Sequence, residues 1–152
     1  MHKMIRYSLF GLATLGLVGC DDDDDLNVVP LPRTFTVRIE NVSTPGTLAV
    51  DRLQGVVPLS PGVWIVSDGS QSLFTLGGTA STGTERIAED GDNAVAAAAL
   101  DAIANLQNGA FSSPGGADNM PTLGPGESVT FTITATPGQR LQLQTMFAQS
   151  ND

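Results

Sequence analysis

The stretch SVTFTITATPGQRLQLQTMF, running from Ser128 to Phe147, decides the fold class. In its first half Val129, Phe131, Ile133 and Ala135 alternate with serine and threonine, a period of two that belongs to a strand with one buried face. The second half repeats the pattern through Leu141, Leu143 and Thr145. Pro137-Gly138 lies between them as a tight turn, so the two strands are expected to pair as a hairpin. Working outward, TFTVRIE at Thr34–Glu40 alternates in the same way, with Phe35, Val37 and Ile39 on one side and Thr36 and Arg38 on the other. Gly62–Val66 (GVWIV) is a short apolar run that opens after Ser60-Pro61 and stops at Asp68-Gly69. Asn41–Gly46 has turn chemistry, and Thr47–Leu53 is expected to form a weaker strand.

One helix interrupts this β pattern. Asn93–Gln107 (NAVAAAALDAIANLQ) is rich in alanine, the best helix former. Asp92 suits its N-cap and Asn108-Gly109 its stop, with Leu100, Ile103 and Leu106 as the inward stripe. Residues 69–84 are rich in glycine, serine and threonine and read as loop, with Leu73, Phe74 and Leu76 as anchors into the core. A second loop carries Pro114-Gly115-Gly116. The expected fold is mainly β: an antiparallel sandwich over residues 34–152 with one inserted helix at about 93–107.

The first 19 residues read as an address. Lys3 and Arg6 give a positive start, and Tyr7–Val18 is an apolar run too short to span a bilayer. It ends Leu17-Val18-Gly19-Cys20, which resembles the lipobox of bacterial lipoproteins. That resemblance implies lipidation of Cys20, the only cysteine in the chain, and a membrane as first partner. Residues 20–33 then form an acidic tether, opened by five aspartates, Asp21–Asp25, that repel one another and stay extended. The same run is a sorting signal in some lipoproteins, so inner membrane, outer membrane and cell surface all remain open within the cell envelope.

With Lys3 and Arg6 inside the leader, five of the seven basic residues face all 16 carboxylates, a formal charge of −11 after Cys20. Such a polyanion repels phosphate backbones, which excludes nucleic acid as a partner. Beyond Cys20 the chain has no histidine, lysine or tyrosine. Ser-His-Asp and Cys-His catalysis, Schiff-base chemistry and histidine-bound zinc are thereby excluded. Carboxylates are the chemistry left, and Glu85, Glu89, Asp90 and Asp92 are the candidates for it. Their place just before the helix favours a capping and dipole role, and Ala94 and Val95 break any EF-hand pattern. Trp64 reads as a core anchor rather than a sugar platform. Ser60 and Ser81 lack a base. Asn41-Val42-Ser43 has the form of a glycosylation sequon.

Five segments in order carry a family resemblance: Leu59-Ser60-Pro61-Gly62-Val63-Trp64; Phe74, Gly77 and Ala80-Ser81; Ala88-Glu89-Asp90-Gly91-Asp92; Leu123-Gly124-Pro125-Gly126-Glu127-Ser128; and Met146 with Ser150-Asn151-Asp152. Together, from about Phe35 to the last residue, they resemble the spondin domain. The resemblance implies an antiparallel sandwich outside the cytoplasm and an adhesion or binding role toward a protein or glycan. In some members it implies a calcium site, built from an aspartate of a Ser-x-Asp segment and two more in a downstream Trp-Asp-Ala-Gly-type stretch. Asp152 is the one position here that matches. The chain then corresponds to the N-terminal two-thirds of such a domain, incomplete at its C-terminus or a degenerate copy. The resemblance thus points to a lipid-anchored, non-enzymatic binding module. A carboxylate-dependent glycan enzyme and a purely structural lipoprotein are the other classes left open.

Overall fold

The alternating segments stand as strands, but not with all of the partners expected for them. A computed structural model describes residues 31–48, 55–113 and 122–148. Among them lie strands β1 (Arg33–Glu40), β2 (Gly62–Ser67), β3 (Gln107–Phe111), β4 (Ser128–Ala135) and β5 (Arg140–Gln144), and helices α1 (Thr82–Asp90) and α2 (Ala94–Asp101). β1 pairs antiparallel with β4, from Arg33 opposite Ala135 to Glu40 opposite Ser128. β2 is the centre of a second antiparallel sheet, in the order β3-β2-β5. The fold is mainly β, with two antiparallel sheets face to face.

The core between the sheets is the sum of the inward rows. Trp64, Val66, Phe111 and Ile133 are buried there, with Val37, Ile39, Val129, Phe131, Ala135 and Leu141 packed around them. Phe131 links the layers: its ring lies parallel to Trp64 at 5.0 Å between centroids and to Phe111 at 6.3 Å. Trp64 is therefore the core anchor its setting implied. The indole also lies against Gly109 of the neighbouring strand, where a Cβ would stand 2.6 Å from the ring. The other face of β2 is covered by the helices, with Val63 packed against Ile87 and Ala96 and flanked by Leu73, Leu100 and Met146. Cover on both faces is the reason β2 reads as an unbroken apolar run.

Four expectations are corrected. β4 and β5 do not form a hairpin, because they lie in different sheets. Thr136–Gln139 is a turn with Pro137 at its second position and Gly138 at φ 93°. That geometry matches a type II turn, which splays the flanking strands where a tight hairpin needs the mirror-image types. The chain arches from one sheet to the other.

The inserted helix is two helices, and the second ends at Asp101, well before Gln107. Ala102 is its C-cap, and Asn105 in the left-handed region (φ 61°) lies in the turn that leads on to β3. Asn108-Gly109, expected as the stop, are strand residues. α1 takes only the last three residues of the supposed loop, Thr82–Thr84, and runs on to Asp90 where no helix was expected. Ser81 caps it by accepting from the Thr84 amide, and Gly91 closes it in the left-handed conformation. Gly83 lets the two helices touch, since a Cβ there would meet Ala96 at 2.7 Å. Finally, of the three supposed loop anchors only Leu73 reaches the core. Phe74 and Leu76 are 60% and 93% exposed.

The tether's assigned boundary at residue 33 shifts slightly, because Arg33 is already paired in β1. The expected strand at Thr47–Leu53 falls mostly outside the described residues. Its first two positions form a bend, with the Leu48 amide bonded to the Gly55 carbonyl. The Pro114-Gly115-Gly116 loop lies outside them too.

Candidate functional site

Three of the segments that carry the family resemblance, together with Met146 of a fourth, meet at one end of the sandwich. Leu59 bridges to both Leu123 and Phe147. The Ser60 hydroxyl accepts from the Met146 amide at 2.9 Å and donates to the Pro61 carbonyl, while Thr145 Oγ1 donates to the Ser60 carbonyl at 2.7 Å. Gly91 packs over Ser60 and Met146, where a Cβ would stand 3.0 Å from the serine Cβ. Residues far apart in sequence thus build one junction around Leu59-Ser60.

Asn41 is its buried pin. Its side-chain amide donates to the carbonyls of Val57 and Leu123, both at 2.7 Å, and its Oδ1 accepts from the Ser43 amide. Its backbone pairs with Glu127 and Gly126. Every polar atom of the side chain is engaged, so the sequon nitrogen is structural. Glu127 in turn accepts from the Gly124 amide at 2.7 Å and from the Ser113 hydroxyl. Sequence reading missed this role of Asn41. The available signal was an amide residue closing an alternating strand just before turn chemistry.

The acidic cluster is held locally. Arg86 bonds Asp90 at 2.7 Å, one helical turn on, and reaches Asp92 at 3.5 Å. The N-cap of α2 is Asn93 rather than Asp92, the residue expected there; Asp92, one position earlier, accepts from the Ala94 amide at 2.9 Å, while the Asn93 side chain reaches back to the Gly62 carbonyl. Two of the four candidate carboxylates are therefore engaged by one guanidinium and the helix start. Glu85 and Glu89 are exposed on α1. Ser60 is buried and hydrogen-bonded, and Ser81 is a cap. Neither has a basic side chain among its hydrogen-bond partners.

Among the described residues, no three carboxylates converge in a way that could hold a metal ion. Cys20, the lipidation candidate, and Asp152, the metal candidate, lie outside those residues. Asp68 is the carboxyl whose acidity shifts: the Ser70 amide and hydroxyl hold it below its ordinary 3.8.

Beside the junction opens an apolar groove of about 470 Å³, walled by Glu40, Val42, Leu48, Leu59, Thr145 and Phe147. Its walls are nearly all hydrocarbon, which suits an apolar side chain of a partner better than a polar metabolite. A second hollow of about 370 Å³ lies at the opposite end of β1, between Phe35, Ile133 and Leu141. Compared with protein family models, curated proteins and solved structures, the chain matches none.

Proposed function

We propose that this chain is a lipid-anchored, non-enzymatic binding module of the cell envelope, of spondin type. The observation that carries the proposal is the arrangement at the N-terminus: a charged start, a short apolar run, Leu17-Val18-Gly19-Cys20 and an acidic spacer, in that order. The lipid holds the module at the membrane, and the spacer stands it off from the surface. The partner is a protein or glycan of the envelope that presents an apolar group to the groove between Val42 and Phe147. Two features support the spondin reading. The fold is an antiparallel sandwich, and segments 59–64, 88–92 and 123–128 come together at its junction. Divalent-cation binding, with Asp152 as one ligand, is part of this reading.

Labelling with radioactive palmitate tests the anchor. Cells producing the chain incorporate label into it and retain it in the membrane fraction, and Cys20→Ser removes both. Label that is absent, or independent of Cys20, defeats the proposal. Capture from envelope extracts tests the binding role. A specific species is retained over a scrambled-domain control, and Val42→Asp in the groove reduces it.

A further inference from the structure

The two flanks of the sandwich differ. On one, β4 lies beside β3, and the Thr134 amide at the outer edge of β4 donates to Gln107 Oε1 at 3.0 Å. On the other, β1 and β5 are the outermost strands of their sheets and run in the same direction. Their starts share the hollow at Phe35 and Leu141, and their far ends share the groove at Glu40 and Phe147. Inner-row side chains are open along this flank: Phe35 is 50% exposed and Leu143 43%.

Among the described residues, the outer hydrogen-bonding groups of β1 have no strand beside them either. Thr34 stands opposite Thr134, whose amide points away from β1. In an antiparallel ladder the residues of such a pair both turn their peptide groups outward, and every second residue does the same. Thr34, Thr36, Arg38 and Glu40 therefore present N–H and C=O groups to the open side.

We propose that two copies of this chain pair through the open edge of β1, antiparallel about a twofold axis at Val37. Thr36 then faces the partner's Arg38 and Thr34 the partner's Glu40. Each of these pairs exchanges two backbone bonds, about eight in all across the axis. In the alternate positions Val37 meets the partner's Val37, and Phe35 meets the partner's Ile39, which covers the open ring.

Chemistry selects this register. An axis at Arg38 sets that cation against its own copy. An axis at Thr36 sets Glu40 against the partner's Pro32, which has no N–H to give. This flank also carries little of the chain's negative charge: Arg33, Arg38 and Arg140 lie on β1 and β5 with Glu40 as the single carboxylate, whereas the chain after Cys20 carries −11. The edge that each copy brings to the axis thus holds one of the 16 carboxylates.

Sedimentation velocity of the full chain, in detergent at large micelle excess, tests the pairing. The wild type sediments as a concentration-dependent dimer. Thr36 is exposed on the outer face of β1, so Thr36→Lys spares the core while opposing the partner's Arg38 twice by symmetry. It weakens the dimer by about tenfold, and Thr36→Glu tightens it several-fold. Trp64 fluorescence is unchanged in both variants, which separates dissociation from misfolding. Hydrogen exchange adds a second measurement: the amides of Thr34, Thr36, Arg38 and Glu40 are protected in the dimer and exchange freely on dilution.

A wild type that stays monomeric at every concentration overturns the proposal and leaves Arg38 and Glu40 as charges that guard the edge. A dimer equally stable in both Thr36 variants overturns the register. Protection that survives dilution assigns the edge to the chain's own residues and overturns the pairing itself.

Discussion

Replacing Gly109 by alanine tests the packing of the core at its tightest point. The new methyl group would stand 2.6 Å from Trp64 Cζ2 and 2.7 Å from Cε2. Carbon atoms in contact prefer about 3.5–4.0 Å, so the indole must retreat by about 1 Å. Phe131 blocks that retreat, because its ring is stacked on the other side, only 5° from parallel. Overpacking of this kind costs about 1–3 kcal/mol, while relieving a strand of glycine returns about 0.5–1 kcal/mol. The net loss is about 1–2 kcal/mol. With a urea slope of about 1.5 kcal/mol/M, that moves the unfolding midpoint down by about 1 M.

Trp64 is the only tryptophan, so its fluorescence follows the transition directly at the perturbed site. Gly124→Ala is the control, since its methyl meets nothing nearer than Glu127 Oε2 at 3.4 Å, and it shifts stability by less than ~0.5 kcal/mol. In a Trp64→Phe background, followed by circular dichroism, the cost of Gly109→Ala largely disappears because the smaller ring leaves room. If Gly109→Ala unfolds within ~0.2 M of the wild type, the reasoning from indole contact and blocked retreat is refuted.

Asn41→Ala removes two buried donations and leaves the Ser43 amide without its acceptor, while the Leu123 and Val57 carbonyls keep the Leu59 amide and the Ser43 hydroxyl; it lowers stability by about 1–2 kcal/mol in the same urea assay. Leu76→Ser, at a position 93% exposed, changes stability by less than ~0.5 kcal/mol, whereas Leu73→Ala, packed against the helix-side core, costs ~1–2 kcal/mol. The Asp68 carboxyl titrates below its ordinary 3.8 because the Ser70 amide and hydroxyl bond its charged form. A depressed acid supports the fold above its unfolded pKa and loses that support as pH falls through the lower folded value. An NMR titration therefore places the Asp68 midpoint below 3.8, and Ser70→Ala moves it upward.

Much of the β framework was legible because period-two alternation reports directly which face of a strand is buried. β1, β4 and β5 stand close to where that pattern puts them, and β2 where its apolar run does. Alternation is silent about partners, however. Val129–Ala135 and Leu141–Leu143 turn their apolar rows toward one core whether they lie side by side or across from each other. The information that decides between these was the dipeptide itself, since Pro137-Gly138 suits a turn that splays its strands.

The helix ran too long on paper because alanine propensity says nothing about Trp64, whose indole needs a glycine beside it in a paired strand. α1 escaped notice because Ile87 is its single buried large side chain, too little for a stripe. Its caps, Ser81 and Gly91, were nonetheless visible. The junction around Leu59-Ser60 could not be read at all, being assembled from segments brought together only by the sheets. Its constituent segments were legible as motifs, but their meeting place was not.

The arch between β4 and β5 sets a clock for synthesis. Because the hairpin is absent, no described strand pairs with its neighbour through a tight turn, and even β2 waits for β3 across two helices. Arg33 finds Ala135 only 102 positions later. At about 5–20 residues per second the ribosome needs roughly 5–20 s to supply that partner. Throughout that interval β1 is an alternating apolar segment with nothing to pair with, and the pairing it awaits is of the slow, long-range kind. A nascent chain in that condition stays open until β4 has been made, which, for the secreted module proposed above, is the state a membrane translocase requires of its cargo.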